Sequence, residues 1–236
     1  MNRSAIAGAA LAACALCGPG QARAQEAGLS ISVGVRAWYT DWSTFSYFAP
    51  DGVNNLALTQ VSANEKFAWL PLISVRYGDF FASFSGMPST DFHFVEGGTG
   101  TRKEYDLNIG YAVLPGLALT LGYKKVSQGD GDAVYRPAGP VIGVNLNAPM
   151  SGPWSLYGAV GLGWLKTPGG DDIQFDADYR LAELGLAYTI DGGAWIKSWT
   201  FTGGYRIQVL TSKDAFNAQD GRDTTQGFTL GAIASF

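Results

Sequence analysis

From residue 29 to the end, apolar and polar residues alternate with a period of two, in runs broken by Gly, Pro, Asp and Asn. The runs fall at 29–43, 67–78, 80–95, 101–113, 117–127, 136–147, 154–166, 173–190, 197–212 and 224–236. Alternation at this period is the signature of a strand with one apolar face. Each run covers or exceeds the roughly 9–11 residues that a tilted strand needs to cross a bilayer. The pattern therefore predicts ten strands in one domain, with no internal repeat and no linker.

The connections alternate as well. Tyr77-Gly-Asp-Phe80, Leu114-Pro-Gly116, Pro149-Met-Ser-Gly-Pro153 and Asp191-Gly-Gly193 are tight turns, whereas 44–66, 96–100, 128–135, 167–172 and 213–223 are mostly longer and richer in acids, Asn and Gly. Short turns at one end and longer loops at the other are the habit of an up-and-down membrane barrel. The expected fold is thus all-β, a closed antiparallel transmembrane barrel of about ten strands. An even strand count places both ends of the barrel on the short-turn side.

Assigning faces separates a lipid-facing set from an inner set. In 101–113, Tyr105, Leu107, Ile109, Tyr111 and Val113 oppose Arg102, Glu104, Asp106, Asn108 and Gly110; in 117–127, Leu117, Leu119, Leu121 and Tyr123 oppose Thr120, Gly122 and Lys124. The first strand sends Leu29, Ile31, Val33 and Val35 outward and Arg36 and Trp38 inward. Trp69, Tyr77, Phe80, Tyr105, Tyr111, Trp154, Trp164, Trp199 and Tyr205 fall outward and read as aromatic girdles. Lys103, Lys125 and Lys197 also fall outward, but near strand ends, where a long side chain snorkels. In 173–190, Asp176, Asp178 and Arg180 have the parity opposite to Glu183, and a β-bulge near 181–183 is expected to turn all four inward.

Both ends of the chain support the same compartment. Met1-Asn-Arg3, an apolar run from Ala5 to Leu16 and Ala22-Arg-Ala24 read as a secretory signal over 1–24, leaving 25–236 as the barrel. Leu11-Ala-Ala-Cys14 also fits a lipoprotein box, though cleavage there leaves an unusually short leader. Loss of the leader removes Cys14 and Cys17, and with Arg3 and Arg23 it moves the formal charge from −4 to −6. Thiol chemistry is thereby excluded from the mature chain, and nucleic acid is an unfavourable partner for want of a basic patch. The final strand, carrying Phe228, Leu230, Ala232, Ala234 and Phe236 on one face, resembles the closing strand and assembly signal of small Gram-negative outer-membrane barrel proteins. That resemblance implies residence in the bacterial outer membrane, contact with its lipid and lipopolysaccharide, and insertion by the barrel assembly machinery.

The predicted interior gathers Arg36, Arg76, Arg102, Lys124, Arg180 and Arg206 with Glu104, Asp106, Asp176, Asp178 and Glu183. Charges of both signs in a narrow lumen either neutralise one another as a plug or line a selective constriction. About eight strands leave room only for side chains or a small ligand, so ten with this many long side chains favour the plug.

His93 is the only histidine, in Asp91-Phe-His-Phe94. Asp-x-His near the outer rim resembles half of the catalytic set of the omptin proteases, which are also ten-stranded; Asp130-Gly-Asp132 imitates the second acidic pair poorly. The His-x-Ser motif of lipid A deacylases is absent, since Phe94 and Val95 follow. The plainer reading is a rim histidine held by Asp91. Loop acids Asp130, Asp132, Asp171, Asp172, Asp220 and Asp223 lack the spacing of an EF-hand and suggest adventitious calcium at most. No cofactor is called for, and Gly158, Gly161 and Gly163 match no phosphate loop because no helix follows. The expected function is a non-enzymatic outer-membrane barrel, structural or a narrow pore. Its rivals are an omptin-like hydrolase using Asp91 and His93, and an adhesion barrel acting through 44–66 with Phe45, Tyr47 and Phe48.

Overall fold

Among its described residues the computed structural model holds twelve strands: β1 (Leu29–Phe48), β2 (Ala57–Ser62), β3 (Lys66–Tyr77), β4 (Phe80–His93), β5 (Thr99–Leu114), β6 (Leu117–Asp130), β7 (Ala133–Tyr135), β8 (Ala138–Pro149), β9 (Trp154–Leu165), β10 (Ala177–Asp191), β11 (Ser198–Phe216) and β12 (Gln219–Ser235). The structure describes residues 28–48, 57–95, 97–130, 133–168, 175–216 and 219–236. The signal reading over 1–24 lies outside them, as do Asp132, Asp171 and Asp172 and the side chains of Phe45, Tyr47, Phe48 and Asp130.

Ten of the strands pair antiparallel in the order β12-β11-β10-β9-β8-β6-β5-β4-β3-β1, and β12 then pairs β1 to close the ring. Closure matters because hydrocarbon offers no partner to a backbone N–H or C=O, so a spanning sheet has to abolish its edges. The joint runs from Ser32↔Ser235 to Thr44↔Asp223, and Phe236 and Ile31 exchange both backbone hydrogen bonds at its inner end, 2.8 and 3.3 Å. The two remaining strands are extensions of outer hairpins. β2 pairs the far end of β1 and β7 pairs the far end of β6, so segments 44–66 and 128–135, expected as loops, are partly sheet. Their sequences lack the alternation of the wall because no bilayer faces them at that height.

Burial follows the pleat. On β3 it alternates strictly, with Ala68, Leu70, Leu72 and Ser74 inward and Phe67, Trp69, Ile73 and Val75 outward. All nine aromatics assigned to the girdles are exposed on the outer face. Several pair there across strands: Phe80 with Tyr111 at 4.8 Å, Trp154 with Tyr188 at 4.8 Å and Tyr205 with Phe228 at 5.2 Å between ring centroids. Among the described residues no helix is long and apolar enough to cross a membrane, and the apolar surface is carried by strands instead.

The course of two strands, β10 and β4, decides which charges face inward. β10 has no bulge: its register runs unbroken from Ala177 to Tyr188 against β9 and from Ala177 to Asp191 against β11. Asp176, Asp178 and Arg180 therefore face outward, correcting the expected bulge, and only Glu183 of that group enters the lumen. Asp178 and Arg180 sit near the outer end of β10, level with Trp164 and Leu162 of β9, and Asp178 pairs there with Lys213 at 2.9 Å. The bulge sits on β4 instead, where the register against β5 steps from Met87↔Glu104 to Thr90↔Arg102 across Pro88 and Ser89. Proline lacks the ladder donor and is at home in such a break.

Deleting Phe236 removes both terminal bonds of the closing joint. The expected outcome is a lower yield of the heat-modifiable folded band on unheated gels; a yield equal to that of the full chain would show that closure does not depend on this residue.

Candidate functional site

The lumen holds two buried ion networks, each built from inward positions of several strands. The first is centred on Glu183 of β10. Arg36 of β1 donates from Nη1 to Glu183 Oε1 at 2.6 Å, Arg206 of β11 donates from Nη1 to Oε2 at 2.9 Å, and the Tyr157 hydroxyl of β9 donates to Oε1 at 3.3 Å. The Glu183 side chain is about 1% exposed. Both carboxylate oxygens are thus satisfied, which is the condition for a buried charge to be tolerated.

The second network sits nearer the outer ends of β5 and β6. Arg102 and Lys124 hold the two oxygens of Glu104, from Arg102 Nε to Oε1 and from Lys124 Nζ to Oε2, both at 2.7 Å. Lys124 also reaches Asp106 at 3.1 Å, and Arg102 Nη1 donates to Gln128 Oε1 at 2.6 Å. Glu104 and Asp106 share the inward face of β5 because they are two residues apart, and Lys124 meets them because Asp106↔Lys124 is a register pair.

Aromatic side chains connect and cover the networks. Lys124 Nζ lies 4.7 Å from the centroid of the Tyr179 ring, whose hydroxyl donates to Gln208 at 2.6 Å, and Gln208 is two residues from Arg206 on β11. The Arg206 guanidinium lies over Trp38 at 5.3 Å and that of Arg102 over Trp42 at 5.6 Å. Trp38, Tyr157, Tyr179, Phe92 and Met87 are fully buried. Toward the outer mouth, Tyr135 of β7 donates to the Phe175 carbonyl and accepts from Ser212, and burial pushes its phenol up to about 12. Charge, amide and ring are therefore packed against one another.

Of the eleven charges read into the lumen, Arg36, Arg102, Glu104, Asp106, Lys124, Glu183 and Arg206 are brought together. Arg76 lies at the inner rim and donates to the Gly78 carbonyl at 2.9 Å. Asp176, Asp178 and Arg180 stand on the outer face. The sequence reading omitted Tyr157, Tyr179, Gln128 and Gln208, although Gln128 shares the parity of Lys124, Gln208 that of Arg206 and Tyr179 that of Glu183, while Tyr157 has the parity opposite to outward Trp154 and Trp164. Tyr157 is admitted by two glycines: a Cβ on Gly185 or Gly204 would lie within 2.6 Å of its ring or hydroxyl.

The β4 bulge moves the rim pair. Phe81, Ser83 and Met87 face inward below it, so unbroken alternation would carry Asp91 and His93 inward too; above it Phe92 is buried and Asp91 and His93 are exposed on the outer face. His93 Nδ1 meets Thr99 Oγ1 at 2.9 Å, and Asp91 accepts from Thr101 at 2.7 Å. The histidine is held by Thr99 and not, as expected, by Asp91.

A closed ring with an apolar aromatic belt outside and a polar packed interior defines the outer-membrane β-barrel class of fold. No family model matches the chain, and no curated protein matches it. Among solved structures it is similar to the outer membrane protease OmpT from Escherichia coli, with 12% identity over 88% of this chain and 96% of that one and a TM-score of 0.50. A FadL homologue from Pseudomonas aeruginosa and the toluene transporter TodX from P. putida match at 9% and 10% identity, over 88% and 89% of this chain and 89% and 90% of theirs, with TM-scores of 0.33 and 0.30. The OmpT overlap shows the shared barrel fold and nothing of its chemistry.

Glu183→Ala strands Arg36 and Arg206 without their anion. It is expected to lower the unfolding free energy in lipid vesicles by about 3–5 kcal/mol, read from urea titration. Gly204→Ala, which pushes a methyl into the Tyr157 hydroxyl, is expected to cost about 1–3 kcal/mol. A wild-type midpoint in either variant would show that the packing around Glu183 does not bear on stability.

Proposed function

We propose that the protein is a non-enzymatic barrel of the bacterial outer membrane whose lumen is closed to solutes, and that its role is structural. The observation that carries this reading is the pairing of the lumen charges with one another. Both oxygens of Glu104 and both of Glu183 are taken by cations of this chain, so neither carboxylate is left to coordinate a passing ion. A selective constriction works the other way, with like-signed side chains held open toward a wet path. The outward aromatic belt supports contact with outer-membrane lipid and lipopolysaccharide, and the closing strand supports insertion by the barrel assembly machinery.

The outward rotation of Asp91 and His93 argues against a hydrolase of omptin type. An acid–base pair has to converge on one reacting atom, and these two side chains engage separate threonines on the outside of the wall.

Planar-bilayer recording tests the reading. The wild-type protein is expected to conduct poorly, while Glu104→Ala combined with Asp106→Ala frees Lys124 and is expected to open a leak. A large, steady wild-type conductance would overturn closure in favour of a pore. Peptide or ester hydrolysis that disappears in His93→Ala would overturn the non-enzymatic reading separately.

A further inference from the structure

The outward charges near the outer ends of the strands are unevenly spread. From β5 round to β9 they are cations: Lys103 on β5, Lys125 on β6, Arg136 just before β8 and Lys166 just after β9. Charges of mixed sign bound this arc. On one side stands Asp91 of β4, whose carboxylate accepts from Thr101; on the other stand Asp176, Arg180 and Asp178, the last paired with Lys213. The register draws the cations together. Lys125 pairs with Ala138 and Ala138 bridges to Lys166, so the two lysines share one row with an alanine between them. Their backbones are two strand spacings apart, about 10 Å. Arg136 shares the outward parity of Ala138 one pleat above it, and Lys103, which pairs with Ser127, stands one pleat above Lys125 on the neighbouring strand.

Beneath this row the lipid face forms a trough along β8. Its floor is the short side chains of Ala138 and Pro140. Tyr123 pairs with Pro140 on one side, and Trp164 falls opposite Pro140 on the other, between the pairs Ala138↔Lys166 and Val141↔Gly163. Both rings are exposed. One pleat further down, Leu121, Ile142 and Leu162 share a row of hydrocarbon. Among the described residues neither Lys125 nor Lys166 makes an ion pair, and Lys103 meets only the Tyr105 ring, at 5.0 Å. A lone lysine above a girdle simply snorkels into water. Two of them flanking an alanine, above a trough walled by aromatic rings and running on into aliphatic surface, make a cationic head position in line with an apolar tail position.

We propose that this face of β6, β8 and β9 is a fixed binding site for lipid A, the phosphorylated glycolipid anchor of lipopolysaccharide. One phosphate sits over Ala138 between Lys125 and Lys166, the sugar lies against Tyr123 and Trp164, and an acyl chain follows the trough past Pro140 to Ile142. Charge complementarity selects a phosphate, since an ammonium on each side meets a doubly ionisable anion. Position selects lipid A over a phospholipid: the site lies at the long-loop end of the barrel, which meets the outer leaflet, and Lys103 offers a second cation to a headgroup that carries a second phosphate. The proposal rests on residence in the outer membrane and is independent of closure of the lumen.

The test is native mass spectrometry of the full barrel released from phosphatidylcholine nanodiscs doped with bisphosphorylated lipid A, counting the lipid that stays bound. The wild type is expected to retain one lipid A. Lys125→Gln combined with Lys166→Gln, folded by the criterion of heat-modifiable mobility, is expected to lower its affinity about tenfold or more; each single substitution, expected to lower it several-fold, serves should the double variant fail to fold. Ala138→Phe fills the floor of the trough without changing charge and is expected to weaken retention as well, whereas Lys197→Gln at the inner end is expected to leave it intact. Lys103→Gln is expected to weaken retention of bisphosphorylated lipid A and to spare the monophosphorylated form. Wild-type retention in the folded double variant would overturn the site, and a loss in Lys197→Gln equal to that in the double variant would reduce it to a general effect of charge. Equal retention of phosphatidylglycerol would overturn the assignment to lipid A. Fractionation of cell membranes reports on outer-membrane residence separately, so failure of the site and failure of that reading give different results.

Discussion

The whole architecture depends on pairing the backbone where water is absent. Each strand of the wall has to find partners on both sides, and the only arrangement that leaves no strand over is a ring, here sealed by β12 on β1. Once the ring exists, the pleat assigns alternate residues to lipid and lumen, and the chemistry of the two faces follows from that assignment. Outside, Leu, Ile, Val and the aromatic belt meet hydrocarbon. Inside, the same strands bring Arg36, Glu183 and Arg206 within hydrogen-bonding distance of one another, though 147 and 23 residues separate the two arginines from Glu183.

The charged groups of the interior are paired with one another. A buried carboxylate faces a large desolvation cost unless cations and hydrogen bonds replace its water. Glu104 and Glu183 each receive two cations, and the rings of Trp38, Trp42 and Tyr179 cover the cations from the side, so the networks and the aromatic packing act as one filling. This also accounts for the glycines opposite Tyr157. A phenol that reaches Glu183 across the floor of the network needs strands without side chains beneath it.

Much of this was legible from alternation alone, because lipid on one side and a packed lumen on the other leave little choice of parity in a regular strand. The order of strands, the girdles and the inward positions of Arg36, Arg102, Glu104, Asp106, Lys124 and Arg206 follow from it directly. What was not legible is where alternation is allowed to break. On β10 the charges Asp176, Asp178 and Arg180 invited a compensating bulge, but the register runs on unbroken and leaves them outward, level with Trp164 and Leu162. On β4 the alternation looked continuous through Ser89, Asp91 and His93, and the break at Pro88 turned that face outward; the proline was the available signal. Closeness between strands, such as the approach of Tyr157 to Glu183, depends on shear around the ring, which no single strand encodes.

The central claim is that the lumen charges are partners and not independent lining groups of a wet channel. A double-mutant cycle on Arg36→Met and Glu183→Gln, read by urea unfolding in lipid vesicles at low and high salt, separates the two. Buried partners are expected to show a coupling energy within about 0.5–3 kcal/mol that salt leaves unchanged. A coupling near zero, or one that vanishes as salt is raised, would mean that water and ions reach both groups and would contradict the closed lumen.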